Sequence, residues 1–377
     1  MHSFSRPAEQ ECAGPVSDPR VVVFSQRGLR PKVSRCSGFE FEDVLASVTN
    51  AQIVTPTHNR FTPLAEPLVN RLNKRFSFGS KLDAPFGCAT ISAQHDLMFA
   101  LFQLPSDLVA LSAMRESTNF GTKVCFIEEM WAADLDRWKG HVERLNDFDH
   151  VFLASAGTVD PLQERLDVPV SFLPFGVDAL RFAPDDADAD RPIAVNNIGR
   201  RSAITHGALR DWASRTDRMY YFDTFTPGYV YDFREHREVL ASINKASRYV
   251  VTNRGVGANP ERTNFQDELS FKFFEAVASG CIMIGEPPSI PEFSKLFDWE
   301  DAHIAVPFDY PDIGNLLEDL ENDPVRSWRA RRMNLKAGFE RHDALYRVQE
   351  VFETLGIPLG GKAADRQAEL QGRADAL

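Results

Sequence analysis

Short apolar runs alternate with longer segments of helical periodicity along most of this chain. Runs too short for a helix and rich in β-branched or aromatic residues read as buried strands. Apolar residues recurring every three or four positions read as helices with one buried face. Val21-Val-Val-Phe24, within Arg20–Ser25, is such a strand, closed by the loop Gln26–Pro31. Residues 39–48 have helical periodicity with acids in the first turn, 51–55 form a second strand, and 65–76 a basic amphipathic helix. Further apolar runs span 96–102 and 107–111. Residues 123–127 form a strand ending on Glu128 and Glu129, followed by a helix over about 132–145 and a strand over 149–155.

Residues 168–184 read as a strand, a Pro-Phe-Gly turn and a short segment ending in proline, and the acidic run 185–191 has no core residue. The stretch 181–191 is therefore expected to be a linker. The pattern then restarts: strands at 194–199, 219–223 and 247–253 alternate with helices at 205–215 and 233–246. Residues 310–355 are helical in pieces broken near Pro324, and the polar tail from Gly360 is expected to fray. The expected organisation is a flexible lead-in (1–20), an N-terminal domain (21–180), the linker, a C-terminal domain (192–345), and a terminal helix with a polar tail (346–377). The fold class is α/β, two doubly wound parallel sheets, whose ligands bind where strand carboxyl ends face a central cleft.

One segment organises the second array. Asp267 to Gly280 predicts a helix with an acidic first turn and a glycine stop, followed at once by a buried strand from Cys281. Phe271, Phe274 and Ala278 share a face with Phe273 and Val277 beside them, so Glu275 is a carboxylate in a mostly buried helix. Such a charge needs a partner or a function.

A chain of 377 residues can bury two cores, and none of its segments has the roughly 18 uninterrupted apolar residues of a membrane span. The net charge of -12 leaves no basic surplus for phosphate backbones, which argues against nucleic acid as the main partner but allows a local pocket for one anion. The five cysteines are scattered and never paired as CxxC, which fits reduced thiols and gives no zinc spacing. The first residues have no apolar signal core, so a cytoplasmic protein is expected.

The loop Gly199-Arg200-Arg201-Ser-Ala-Ile-Thr-His206-Gly207 follows a strand and precedes a helix. Glycine permits close backbone approach and arginines fork onto phosphate oxygens, so the loop suits a diphosphate clamp; it equally suits a surface turn with solvated arginines. Ser270, Phe271 and Lys272 would present free backbone N–H groups to an anion, or the helix would be capped by Asp267 or Ser270. Glu275 fits a bond to two vicinal hydroxyls, or an internal ion pair with an arginine from 248–262. In the first array, Glu128, Glu129, His95, Asp96, Arg27 and Arg30 could orient or deprotonate an acceptor hydroxyl, or be caps and solvated charges. Trp131 could stack on a sugar ring or pack in the core. The 65–76 helix, with Arg71, Lys74 and Arg75, could touch an anionic membrane surface or be a solvated face.

Three motifs occur together in order. Phe172-Leu-Pro-Phe-Gly-Val-Asp178-Ala-Leu-Arg-Phe182-Ala-Pro184 resembles the crossover of glycosyltransferases with the GT-B fold. Gly199-Arg200 with His206-Gly207 resembles their phosphate loop, with histidine where lysine is usual. Asp267 through Glu275-Ala-Val-Ala-Ser-Gly280 is similar to their acid-x7-acid motif, with aspartate for the first glutamate. The resemblance covers about 149–290 and is nearest in character to bacterial group 1 enzymes, including CgeB-like proteins. It implies two Rossmann-like domains and a nucleotide-sugar donor in the second. Arg200, Arg201 and His206 would take the diphosphate, Glu275 the ribose, and Asp267 the sugar. It further implies a hydroxyl acceptor on the first domain, where Glu129 and His95 are the catalytic candidates, with no metal or organic cofactor and retention of configuration. The alternative expectation is a catalytically silent module of the same fold that binds a nucleotide sugar or a partner. Base recognition would fall to loops around 222–230 or 250–256.

Overall fold

The computed structural model describes residues 20–75, 84–87, 94–114, 120–224, 228–255 and 260–377. The expected lead-in, Cys12 and Cys88, and parts of the two base-recognition loops lie outside the described residues. The first unit runs β1 (Val21–Phe24), α1 (Cys36–Thr49), β2 (Gln52–Val54), β3 (Thr57–His58), α2 (Thr62–Arg75), β4 (Phe86–Gly87), β5 (His95–Phe102) and β6 (Phe120–Ile127). It continues through α3 (Lys139–Arg144), β7 (His150–Leu153), α4 (Val159–Gln163), β8 (Val170–Phe172) and α5 (Ala179–Phe182).

Six of these strands form a parallel sheet in the order β2-β1-β5-β6-β7-β8. The strand β1 and the second halves of β5 and β6 are continuously apolar and buried because both faces are covered there. Val21, Val23, Leu97 and Phe99 pack in one layer with Phe41 and Leu45 of α1. The intervening Val22, Phe24, Met98 and Ala100 pack in the other layer, against Leu108, Val109 and Val142. The helix expected over 132–145 divides into a 3-10 turn at Ala132–Asp134 and α3.

The second unit runs β9 (Ile193–Asn196), α6 (Ala203–Thr216), β10 (Met219–Tyr221), α7 (Phe233–Lys245), β11 (Ser247–Val251), α8 (Phe271–Ala278), β12 (Ile282–Gly285), α9 (Pro291–Leu296) and β13 (His303–Ala305). Its five strands lie parallel in the order β10-β9-β11-β12-β13. Helices α10 (Ile313–Glu321), α11 (Pro324–Ala337), α12 (Ala344–Leu355) and α13 (Gly361–Asp375) follow, with a π-helical stretch at Gly338–His342. Among the described residues no helix is long and apolar enough to cross a membrane.

The chain returns to the first unit at its end. Val177 exchanges backbone bonds with His342 and Ala344, and α12 and α13 pack against α1. The tail expected to fray is instead the helix α13. Ala363, Leu370 and Ala374 are buried, and Arg366 pairs with Asp178 and Asp343. Its few apolar residues fall on one stripe, a weak signal in an otherwise polar sequence.

Helix α8 starts later than expected. Ser270, in extended conformation, caps it through the Lys272 N–H, so Asp267 and Glu268 lie in the preceding loop and not in the first turn. Gly280 ends the segment as expected, at φ +64°.

Candidate functional site

Both parallel sheets turn their carboxyl ends toward one cleft, a cavity of about 200 Å³. The first unit contributes Ser34, Gln103 after β5, Glu128, Glu129 and Trp131 after β6, and Ser155 after β7. The second contributes Arg200, Gly255, Glu268, Leu269, Ser270 and Phe271. Phe175, from the crossover, lies against Phe271 with ring centroids 3.9 Å apart and closes the floor.

Two carboxyl groups in this cleft are buried. Glu128 is 7% exposed and its Oε1 has no hydrogen-bond partner among the described residues. Burial pushes its pKa up to about 8, with Arg35 opposing and Glu42, Asp107 and Glu129 adding to the rise. Glu268 is 6% exposed; Gln266 donates to its Oε1, and among the described residues Oε2 has no hydrogen-bond partner. Burial pushes this carboxyl to about 8 as well, against the Gln266 bond. Gln266 itself spans the seam: it donates to Thr158 Oγ1 at 2.9 Å and accepts from the Ala132 N–H at 3.0 Å. Glu129, by contrast, is exposed and accepts from Trp131 Nε1 at 3.2 Å.

The loop after β9 is held by its own neighbours. Gly199, at φ +82°, donates its N–H to Asp223 Oδ1 at 2.9 Å, and Arg201 pairs with that carboxylate and with the Asp223 and Asn197 carbonyls. Arg201 is thus held within its own loop, and Arg200 is among the residues lining the cleft. Lys272 donates from Nζ to the Ile198 carbonyl just before this loop, and burial lowers its pKa to about 8. His206 shares a hydrogen with the Tyr220 hydroxyl at 2.9 Å and faces Phe222. Burial, then Arg201 and Arg210, lower its pKa, which disfavours the charged imidazolium.

The acids of the spaced motif point elsewhere. Asp267 accepts from Arg254 Nη1 at 2.7 Å and from the Ser289 N–H at 2.9 Å. Glu275 accepts from Arg237 Nη1, so its ion-pair partner comes from α7 and not from 248–262. Arg237 also forks onto Glu40 of α1 at 2.9 Å through Nε and Nη2. His95 begins β5, an eight-residue strand whose far end meets the cleft, so it stands about 23 Å from that edge. The structure thus brings Arg200, Ser270, Phe271 and Glu129 to the cleft, sets Gly199 and Arg201 in its supporting loop with Lys272 of α8 bonded to the Ile198 carbonyl beside it, and leaves His95 at the opposite edge.

Three residues were passed over in the sequence. Glu268 stood beside Asp267, but spacing favoured the latter. Gln266 gave no signal. Arg237 had one: it shares the buried face of α7 with Ala241 and Asn244 at helical spacing.

No protein-family model and no curated protein sequence matches the chain. Solved structures do. One is an alpha-glucosyltransferase in complex with UDP and a 13-mer DNA containing a central A:G mismatch, with TM-score 0.55, 10% identity, and 90% of this chain and 100% of that chain covered. A second is the N-terminal domain of Candida albicans trehalose-6-phosphate phosphatase, with TM-score 0.51, 8% identity, and coverage of 93% and 99%. TarM is also similar, with TM-score 0.43, 11% identity, and 68% of this chain covered; the chain spans about half of that protein, 54%. Two parallel sheets facing a cleft, and this likeness across nearly the full chain, show the GT-B architecture of two Rossmann-like units.

Proposed function

We propose that the chain transfers a glycosyl group from a nucleotide-sugar donor to a hydroxyl acceptor. The observation that carries this reading is the make-up of the cleft: Arg200 and the first turn of α8 on one side, with Glu128 and Glu268, both buried, among the residues lining the same cavity. A guanidinium and a helix N-terminus attract a diphosphate, and they stabilise the charge that develops when it leaves. In the transfer, the bond from the anomeric carbon to the donor phosphate oxygen breaks and the bond to the acceptor oxygen forms. The acceptor proton leaves with the departing diphosphate or passes to a neighbouring carboxylate.

Glu128 and Glu268 carry their protons near neutral pH, so each can both donate to and accept from sugar hydroxyls. The residue expected to meet the sugar, Asp267, is replaced in this reading by its neighbour Glu268. Arg200 is the diphosphate ligand, supported by a loop that Lys272, Arg201 and Asp223 hold in place. The chemistry needs no metal ion or organic cofactor, and retention of configuration remains part of the proposal. Buried thiols at Cys36, Cys125 and Cys281 fit a reducing, cytoplasmic setting.

A second reading, a silent module that binds a nucleotide sugar without turning it over, is favoured by one observation: Asp267 and Glu275 are both engaged by arginines. Calorimetry against a panel of nucleotide sugars, followed by an assay for released nucleoside diphosphate, separates the two. Binding with turnover supports the transferase. Binding without turnover on any acceptor supports the silent module, and no binding removes both.

A further inference from the structure

We propose that the outward face of α2 docks on an anionic lipid bilayer. Within residues 60–71 the exposed side chains are Arg60, Phe61, Pro63, Leu64, Pro67, Leu68 and Arg71, so every one is apolar or cationic. Phe61, Leu64 and Leu68 follow helical spacing along one stripe and are 53%, 79% and 56% exposed. Leaving such a stripe in water is unfavourable, and in a chain of net charge -12 its flanking cations are against the average.

Loose packing does not explain the exposure. The opposite side of α2 is well anchored: Lys74 lies over the Trp138 ring at 3.9 Å, and Asn70 meets His141 Nε2 at 2.8 Å. The helix's acid, Glu66, turns inward to Arg30, which leaves no carboxylate on the outer face. Arg60 rests on the Phe61 ring at 4.5 Å, and among the described residues neither Arg60 nor Arg71 has a carboxylate partner.

The chemistry separates a lipid surface from other occupants. A convex helix with an apolar stripe between two cations suits the interface of a bilayer, where the apolar side chains enter the acyl boundary and the cations meet phosphate headgroups. The apolar patch on α11 differs. Val325 and Trp328 are exposed there, but the surrounding Arg326, Arg329 and Arg332 are paired with Asp301, Glu300 and Asp188. The α2 face is also tied to the cleft wall. Arg30 joins Glu66 to Asp107 at 3.1 Å, and Asp107 holds Arg35, next to the cleft residue Ser34.

The test is sedimentation of the full chain with vesicles of phosphatidylcholine alone, or of phosphatidylcholine with phosphatidylglycerol. Binding is expected to the anionic vesicles and not to the neutral ones, and to fall as salt is added. Arg60→Ala with Arg71→Ala lowers the partition by about twenty-five-fold, at about fivefold per cation. Leu64→Glu abolishes it, while Val325→Ser on α11 leaves it unchanged. These positions are exposed, and unchanged melting temperatures check that the variants fold. No binding to anionic vesicles, or binding insensitive to Leu64→Glu, overturns the proposal. So does light scattering that shows a dimer dissolved by Leu64→Glu, since a second copy would then cover the stripe. Donor binding in the cleft is read separately, so its failure would leave this result standing.

Discussion

Glu275 accepts a hydrogen bond from Arg237, and through the other edge of that guanidinium it is joined to Glu40 across the seam between the two units. All three groups are buried. Burial works to lower the Arg237 pKa, but the two carboxylates raise it overall, so the cation is permanent. Replacing Arg237 with methionine would take the paired cation from buried Glu275 and leave buried Glu40 with only the Asp178 N–H and Arg181 at 3.5 Å. A loss of roughly 3–5 kcal/mol is expected, because breaking a buried pair costs more than its net contribution. Urea unfolding of Arg237→Met measures it; a loss below about 1 kcal/mol would show the carboxylates to be solvated.

Glu128 and Glu268 predict a pH-dependent gain on substitution. Their folded pKa values, about 8, lie above the ordinary 4.5, so the folded state binds more protons between those limits and wild-type stability falls as pH rises through that window. Glu128→Gln or Glu268→Gln removes the penalty. Relative to wild type, each variant should gain roughly 3.5 kcal/mol between pH 5 and pH 8. Melting curves at the two pH values suffice; equal differences at both would mean neither carboxyl is held protonated.

His303 predicts the opposite sign. Burial lowers its pKa from 6.5 to about 4, so the unfolded state binds more protons as pH falls below 6.5, and the stability held by the neutral ring is lost down to about pH 4. His303→Asn forfeits packing against Phe273 and Phe293 at every pH. Its deficit should nevertheless shrink between pH 6.5 and 4.5, by up to about 1.4 kcal/mol per pH unit. A deficit constant across that range contradicts the assignment.

Asp267 and Arg200 separate support from contact. Asp267→Asn weakens the pair with Arg254 and the bond from Ser289, so it should lower stability by about 1 kcal/mol while changing donor affinity less than threefold. A larger effect of Asp267→Asn on affinity than on stability would restore the aspartate as a sugar ligand.

Much of the fold was legible because both sheets are parallel and buried on two faces. Runs such as Val21–Phe24 and Ile282–Gly285 then stand out as continuous apolar strands, and Gly280 marks the end of α8. Helix α13 was not legible, since burying Ala363, Leu370 and Ala374 takes few apolar residues. The placement of Arg200 and the α8 turn at the cleft followed from the loop chemistry. That Arg254 takes up Asp267 while Glu268 lines the cleft did not, because adjacent loop residues point apart. His95 was misplaced for a simpler reason. Lying at a strand's start rather than its end, it belongs to the edge away from the cleft.

The most direct measurement is calorimetric titration of wild type and Arg200→Ala with a panel of nucleotide sugars. The proposal predicts that at least one binds the wild type and that Arg200→Ala, still folded, weakens it by at least tenfold, as loss of a charge-assisted contact of about 1.5–3 kcal/mol requires. If no nucleotide sugar binds, or if Arg200→Ala binds as tightly as wild type, the cleft is not a diphosphate-sugar site.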